Sequence, residues 1–229
     1  MKAYKNILES KTHRDSPDRK RYADDIVRWI DAQYPDASER RGTYTRDTPK
    51  EKRYRDFVEM HGFPLTERAQ YSGLAVSAET ERVGRDGGAE IFRLRLEVLP
   101  GVKLFGLYFL PLDNAARRPL VFCQHGANGT PEYIGSMLDN SGNYNHMARR
   151  FVERGAAVFA PQLLTWSPER FGTPYDRGKA DCALRQLGGS FAALELLFLS
   201  RCTDYFSVRE DILAEQIGFC GLSWGGMYA

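Results

Sequence analysis

The sequence predicts an α/β architecture: a helical N-terminal lobe, then an antiparallel hairpin, then a parallel sheet covered by helices on both faces. Three observations carry this. Short, largely apolar runs recur at 119–124 (PLVFCQ), 156–162 (AAVFAPQ) and 215–221 (EQIGFCG). Helix-period segments lie between them. An earlier run, EIFRLRLEVL at 90–99, instead alternates apolar and charged residues. A strand covered on both faces reads as a continuous apolar run, whereas a strand with one wet face alternates. Apolar strands separated by helices are the pattern of a parallel sheet.

The elements follow in order. Ser16-Pro17 has the form of an N-cap followed by proline at the first helical position. Ala23, Ile26, Val27 and Ile30 then recur at helical spacing, and Pro35 is expected to lie beyond the helix end. Thr48-Pro49-Lys50-Glu51 has capping-box form, and its helix carries Tyr54, Phe57 and Val58 as far as Gly62. The period changes near Leu74, which sets the expected domains at 1–73 (helical lobe) and 74–229. Residues 90–99 and VKLFGLYFLP, separated by Pro100-Gly101, form the hairpin. After strand 119–124 come the loop HGANGTPEYIG and an amphipathic helix at 144–155 closed by Gly155. After strand 156–162 come a long connection at 163–178 and one helix from Lys179 to about Cys202. A connection of that length is often a lid or a substrate wall.

Composition narrows the function classes. The chain has 229 residues, 42% of them hydrophobic, and a net charge of +2, which suits a globular protein and not a nucleic-acid binder. Residues 1–55 hold 15 Lys/Arg, but 10 Asp/Glu are mixed among them, as on a solvated helical lobe. No apolar run has the length of a membrane span, and the N-terminus lacks the apolar core of a signal peptide. Cys123, Cys182, Cys202 and Cys220 form no CxxC pair, and the four histidines are scattered. Cys123 and Cys220 sit inside apolar strand-like runs, so the expectation is buried free thiols, a cytoplasmic location, no metal and no cofactor. Gly172 to Ala180 imitates a phosphate loop but has five residues between its glycines, and alanine replaces the metal-binding hydroxyl.

Two motifs carry chemistry. Gly221-Leu-Ser223-Trp-Gly225 follows an apolar strand directly and precedes residues that can open a helix. Glycines at both flanks permit a very tight turn with Ser223 at its apex. The second motif, His125 to Gly129 (HGANG), sits at the end of strand 119–124. Glycines there, Gly126 among them, let backbone N–H groups approach a ligand.

PLVFCQHGANG, DRGKADCALRQLGGSFAALELL and IGFCGLSWGGMYA follow one another as in α/β-hydrolases, and the chain resembles their dienelactone-hydrolase-like and acetyl-xylan-esterase-like branch over about residues 74–229. The resemblance implies a serine hydrolase acting on a small-molecule or carbohydrate ester. Ser223 would be the nucleophile, and the N–H groups of Trp224 and Ala127 the oxyanion donors. His125, Gly126, Gly221 and Gly225 would support loop and turn. In this fold the base follows the serine in the chain, so His125 reads as structural. Members continue with further strands, an acid and a histidine, whereas only Trp224 to Ala229 follow here. The chain is therefore expected to be the N-terminal part of a longer hydrolase. A prolyl-oligopeptidase-like peptidase and a non-catalytic binding module of the same fold are the alternatives.

Overall fold

The computed structural model describes residues 17–86, 88–138, 142–164 and 176–229. Ser16, and residues 165–175 of the long connection, lie outside them. The chain divides into two compact units, Met1–Arg55 and Asp56–Ala229.

In the first unit, α1 spans Pro17–Gly42 and runs through Pro35. The proline removes one backbone donor, and the following Ala37, Glu39, Arg40 and Arg41 favour helix. The helix closes where the N–H and hydroxyl of Thr43 both donate to Arg40 O, at 3.2 and 2.6 Å. Ile26, Val27 and Ile30, the expected apolar stripe, are exposed. The next helix, α2 (Lys50–His61), starts without the expected box. The Thr48 hydroxyl instead accepts from the N–H of Thr45 at 2.8 Å.

The second unit is built on a six-stranded sheet in the order β1-β2-β3-β5-β4-β6. The strands are β1 (Ala78–Asp86), β2 (Ala89–Leu99), β3 (Val102–Pro111), β4 (Arg118–Gln124), β5 (Ala157–Pro161) and β6 (Ile212–Gly221). β1, β2 and β3 pair antiparallel, and β3 joins β5 antiparallel. β4 is parallel to both β5 and β6, with Cys123 opposite Cys220 and Gln124 opposite Gly221. β1 is an addition to the sequence reading. Its segment, AETERVGRD, has no apolar alternation because it is an exposed edge. Charges hold it across the sheet: Glu81 pairs with Arg95 at 2.8 Å, and Arg85 with Glu90 at 2.6 Å. Such residues also discourage pairing with another chain.

Both faces of the sheet are covered, which explains the apolar runs. One face carries Leu94, Leu96, Tyr108, Leu120, Phe122 and Phe159 against α6 (Phe191–Ser207), through Phe198, Cys202 and Phe206. The other carries Ile91, Leu107, Phe109, Cys123 and Val158. It packs on α3 (Pro131–Ile134) and α4 (Met147–Val152), through Ile134, Ala148 and Val152. Phe122, Phe159 and Phe206 meet with centroids 5.0–5.7 Å apart. Cys220 is only half-buried, contrary to expectation, because β6 is the other edge of this sheet.

Two helices differ from the reading. The segment 144–155 contains only the short α4, because Asn145 and His146 adopt left-handed backbone (φ 50° and 53°) and interrupt the turn before it. The single helix from Lys179 is two, α5 (Arg177–Gln186) and α6. Gly188 (φ 74°) ends the first, and the Ser190 hydroxyl caps the second by accepting from Ala193 N–H at 3.0 Å. Gly189 lies against Phe63, whose carbonyl oxygen would be 1.8 Å from any Cβ there. Apolar periodicity continues through Leu187-Gly188-Gly189, but Gly188 and Ser190 form a local stop and cap, and the approach of Phe63 leaves no room for a side chain at 189. No helix among the described residues is long and apolar enough to cross a membrane.

Candidate active site

The parallel strands β4, β5 and β6 end at one edge of the sheet, at Gln124, Pro161 and Gly221. Loops at the carboxyl ends of such strands are the usual place for a ligand. The register that sets Gln124 opposite Gly221 brings the two sequence motifs together.

Ser223 occupies the turn between β6 and α7 (Trp224–Tyr228) with φ 55° and ψ −119°. A side chain held in that region stores strain of about 1–3 kcal/mol. The tight turn is enforced on both sides. A Cβ on Gly221 would lie 2.3 Å from the Gly225 carbonyl, and one on Gly225 would lie 2.4 Å from Gln124 O. The N–H of Leu222 donates to Gln124 O at 3.1 Å and ties the turn to β4. Ser223 is exposed, and its hydroxyl has no hydrogen-bond partner among the described residues.

The HGANG loop sits against this turn. A Cβ on Gly126 would be 3.2 Å from the Cβ of Ser223 and 3.8 Å from its Oγ. Ala127 is exposed. Among the described residues, the N–H groups of Ala127 and Trp224 carry no hydrogen bond. For Trp224 this follows from its place as the first residue of α7, where helix donors lack intrahelical partners.

His125 braces the loop from beneath. It is fully buried. Its Nδ1 donates to Gly126 O at 2.7 Å, and its Nε2 accepts from Leu163 N–H at 2.9 Å. A carbonyl can only accept and an N–H can only donate, so the ring is the neutral Nδ1–H tautomer. Burial pushes its pKa from 6.5 down to about 4. Gln162 Nε2, 3.0 Å from the same ring nitrogen, donates to Leu163 O at 2.9 Å. Tyr144 completes the brace, its hydroxyl accepting from Gly126 N–H at 3.1 Å.

The other described histidines are placed elsewhere. His146 is exposed and holds Ser136 Oγ at 2.9 Å. His61 ends α2, edge-on to Phe57 at 4.6 Å, and partial burial lowers its pKa. Among the described residues, no group of His, Cys, Asp and Glu is arranged to hold a metal ion.

The structure adds residues that the motifs did not single out. Tyr144 and Gln162 act on the loop from 18 and 37 positions away, and no local pattern marks them. Glu195 is fully enclosed in α6, and its Oε1 accepts from Leu164 N–H at 2.7 Å. Its signal was in the sequence: a lone charge in the apolar run FAALELLFL.

No family model matches the chain, and no curated protein matches it. Solved structures do. A Bacteroides fragilis protein assigned as an acetyl xylan esterase is 17% identical, with a TM-score of 0.61 over 81% of this chain and 51% of its own. Acetyl xylan esterase from Paenibacillus sp. R4 is 18% identical, with a TM-score of 0.51 over 75% of this chain and 53% of its own. Acetyl xylan esterase 1 from Thermoanaerobacterium sp. is 17% identical, with a TM-score of 0.50 over 80% and 58%. At these identities the likeness is one of fold. The chain has the α/β-hydrolase fold as far as the helix after Ser223, and it spans about half the length of the proteins it matches.

Proposed function

We propose that the chain carries the nucleophile and oxyanion site of a serine hydrolase acting on a carboxylic ester, acetyl-esterase-like in its substrate. The observation that carries this is Ser223, held at φ 55° on a strand-to-helix turn with the HGANG loop packed on it. In this reading Ser223 Oγ forms a bond to the ester carbonyl carbon. The Trp224 and Ala127 N–H groups receive the oxyanion, each worth roughly 3–4 kcal/mol in comparable sites. The alcohol then leaves with a proton, and water releases the acid from the serine. The neighbours named as acetyl xylan esterases support a small or carbohydrate ester as substrate.

A serine hydroxyl needs a base. His125 cannot serve, since both ring nitrogens are engaged, and neither His61 nor His146 is set on Ser223. The reading therefore draws its histidine and acid from outside the described residues. It expects no appreciable ester turnover from the 229 residues alone. Four free cysteines suit the proposed cytoplasmic location.

The test is a fluorophosphonate probe with peptide mass spectrometry, beside hydrolysis of an activated acetyl ester. With imidazole in solution supplying the base that the described residues lack, slow stoichiometric labelling at Ser223, absent from Ser223→Ala, is expected. No adduct, or one unchanged in Ser223→Ala, would sink the nucleophile assignment. Ester turnover that vanishes in Ser223→Ala would place a working base among these residues and overturn that part of the reading.

A further inference from the structure

Glu195 is 2% exposed, in the middle of an apolar stretch of α6. An enclosed carboxyl is costly unless hydrogen-bonded, so its partners indicate its role. Oε1 takes the N–H of Leu164, just past the end of β5, at 2.7 Å. The carboxyl and the hydroxyl of Tyr228, in the last turn of α7, also act on each other electrostatically. Arg177, at the start of α5, lays its guanidinium over the rings of Phe191 at 4.5 Å and Trp224 at 4.7 Å. Its positive charge acts on both the carboxyl and the phenol.

Burial raises the pKa of Glu195, opposed by the Tyr228 hydroxyl, the Leu164 N–H and Arg177. Burial and then the Glu195 charge hold the Tyr228 phenol well above its usual range. Glu195 Oε2, Tyr228 Oη and Arg177 Nε are all buried and make no hydrogen bond. Carboxyl, phenol and guanidinium are thus three buried polar groups in one enclosed cluster, joined to α7 by the stacking of Arg177 on Trp224. A second buried polar group lies under the same helix. The Cβ of Gln124 packs on Gly225, and its amide is likewise without a partner among the described residues.

We propose that Glu195 is a positioning residue for Ser223. Its carboxyl accepts from Leu164 N–H through Oε1 and offers Oε2 as the acceptor for the Tyr228 hydroxyl, with the Arg177 charge acting on both. It thereby ties α7 and the end of β5 to α6. α7 begins at Trp224, so anchoring its far end at Tyr228 sets the direction of the Trp224 N–H and the seating of the Ser223 turn. The tie is a property of the fold, and its bearing on catalysis rests on Ser223 being the nucleophile.

The test uses the whole chain with Trp29→Phe and Trp166→Phe, which leave Trp224 as the sole tryptophan. Acrylamide quenching of Trp224 is measured in Glu195→Gln, Glu195→Ala, Tyr228→Phe and the pair Glu195→Ala/Tyr228→Phe. Fluorophosphonate labelling of Ser223, with imidazole in solution as the base, is followed in the same set. Glutamine keeps an acceptor for Leu164 and an N–H for Tyr228 Oη, so quenching should stay at the parent level. Glu195→Ala and Tyr228→Phe should each raise it about twofold, and the pair should add little, as for two ends of one contact. Unchanged quenching in Tyr228→Phe, or fully additive effects, would overturn the proposal. If Glu195→Ala does not fold, Tyr228→Phe, which removes a single hydroxyl, decides alone. Quenching that responds as expected in a chain whose Ser223 is never labelled would sink the proposed function and leave the tie standing.

Discussion

Replacing His125 by glutamine isolates a pH dependence that burial creates. The folded chain needs the neutral ring, since Nδ1 donates to Gly126 O and Nε2 accepts from Leu163 N–H. The pKa falls from 6.5 to about 4 because the ring is desolvated. Between those values the unfolded chain binds a proton at this residue and the folded chain does not. The stability that the neutral ring contributes is therefore complete above pH 6.5 and is lost as pH falls toward 4. At 1.36 kcal/mol per unit the gap is worth about 3 kcal/mol, of which roughly 2 kcal/mol is gone by pH 5. Urea unfolding at several pH values between 7.5 and 4, for the parent chain and His125→Gln, measures it. The variant should be the less stable by about 1–3 kcal/mol at pH 7.5, having lost ring hydrogen bonds. The balance should move by about 3 kcal/mol in favour of the variant toward pH 4, so that the difference vanishes or changes sign, because other titrating groups cancel between the two chains. Stability curves that stay parallel over the whole range would refute the neutral, buried assignment, and with it the structural role of this histidine.

Two further outcomes follow from the turn itself. Gly225→Ala sets a methyl 2.4 Å from Gln124 O, a backbone atom that cannot swing aside. It should cost about 1–3 kcal/mol, read as a lower urea midpoint, and an unchanged midpoint would mean that the β4–α7 approach is looser than described. Ser223→Gly should raise stability by about 1 kcal/mol by relieving φ 55°, whereas Ser223→Ala, which keeps the Cβ, should not. Equal stabilities for the two variants would count against a strained serine.

How much was legible in the sequence depends on whether the cause was local. The runs at 119–124 and 156–162 declared buried strands because alternate residues meet different helix layers: Phe159 lies under Phe206 while Val158 faces the layer of Ala148. No alternation can survive when both faces are dry. The Ser223 turn was legible for the same reason, since Gly221 and Gly225 are glycines because of each other and of the adjacent strand. β1 escaped because an exposed, charge-paired edge carries no apolar period. The break before α6 was masked by apolar periodicity that ran on through it, although Gly188 and Ser190 mark it locally; the approach of Phe63, more than a hundred residues earlier, adds that position 189 must be glycine. Cys220 was misjudged because burial at a strand position depends on whether a neighbour covers that edge.

By itself, then, the sequence determined the alternation of buried strands and helices from residue 119 onward, the two glycine-rich turns and the serine in the second of them. These rest on residue type and spacing within a dozen positions. Only the tertiary structure decided what holds those turns. It set the Tyr144 hydroxyl on Gly126 N–H, brought Leu163 and Gln162 to the His125 ring, and enclosed the Glu195 carboxyl against Leu164 N–H. The physical reason is that a hydrogen bond requires its partners at about 3 Å, with no regard to their separation along the chain. Donor and acceptor types are written in the sequence, but pairing among many such groups is chosen only when packing fixes which of them share a buried space.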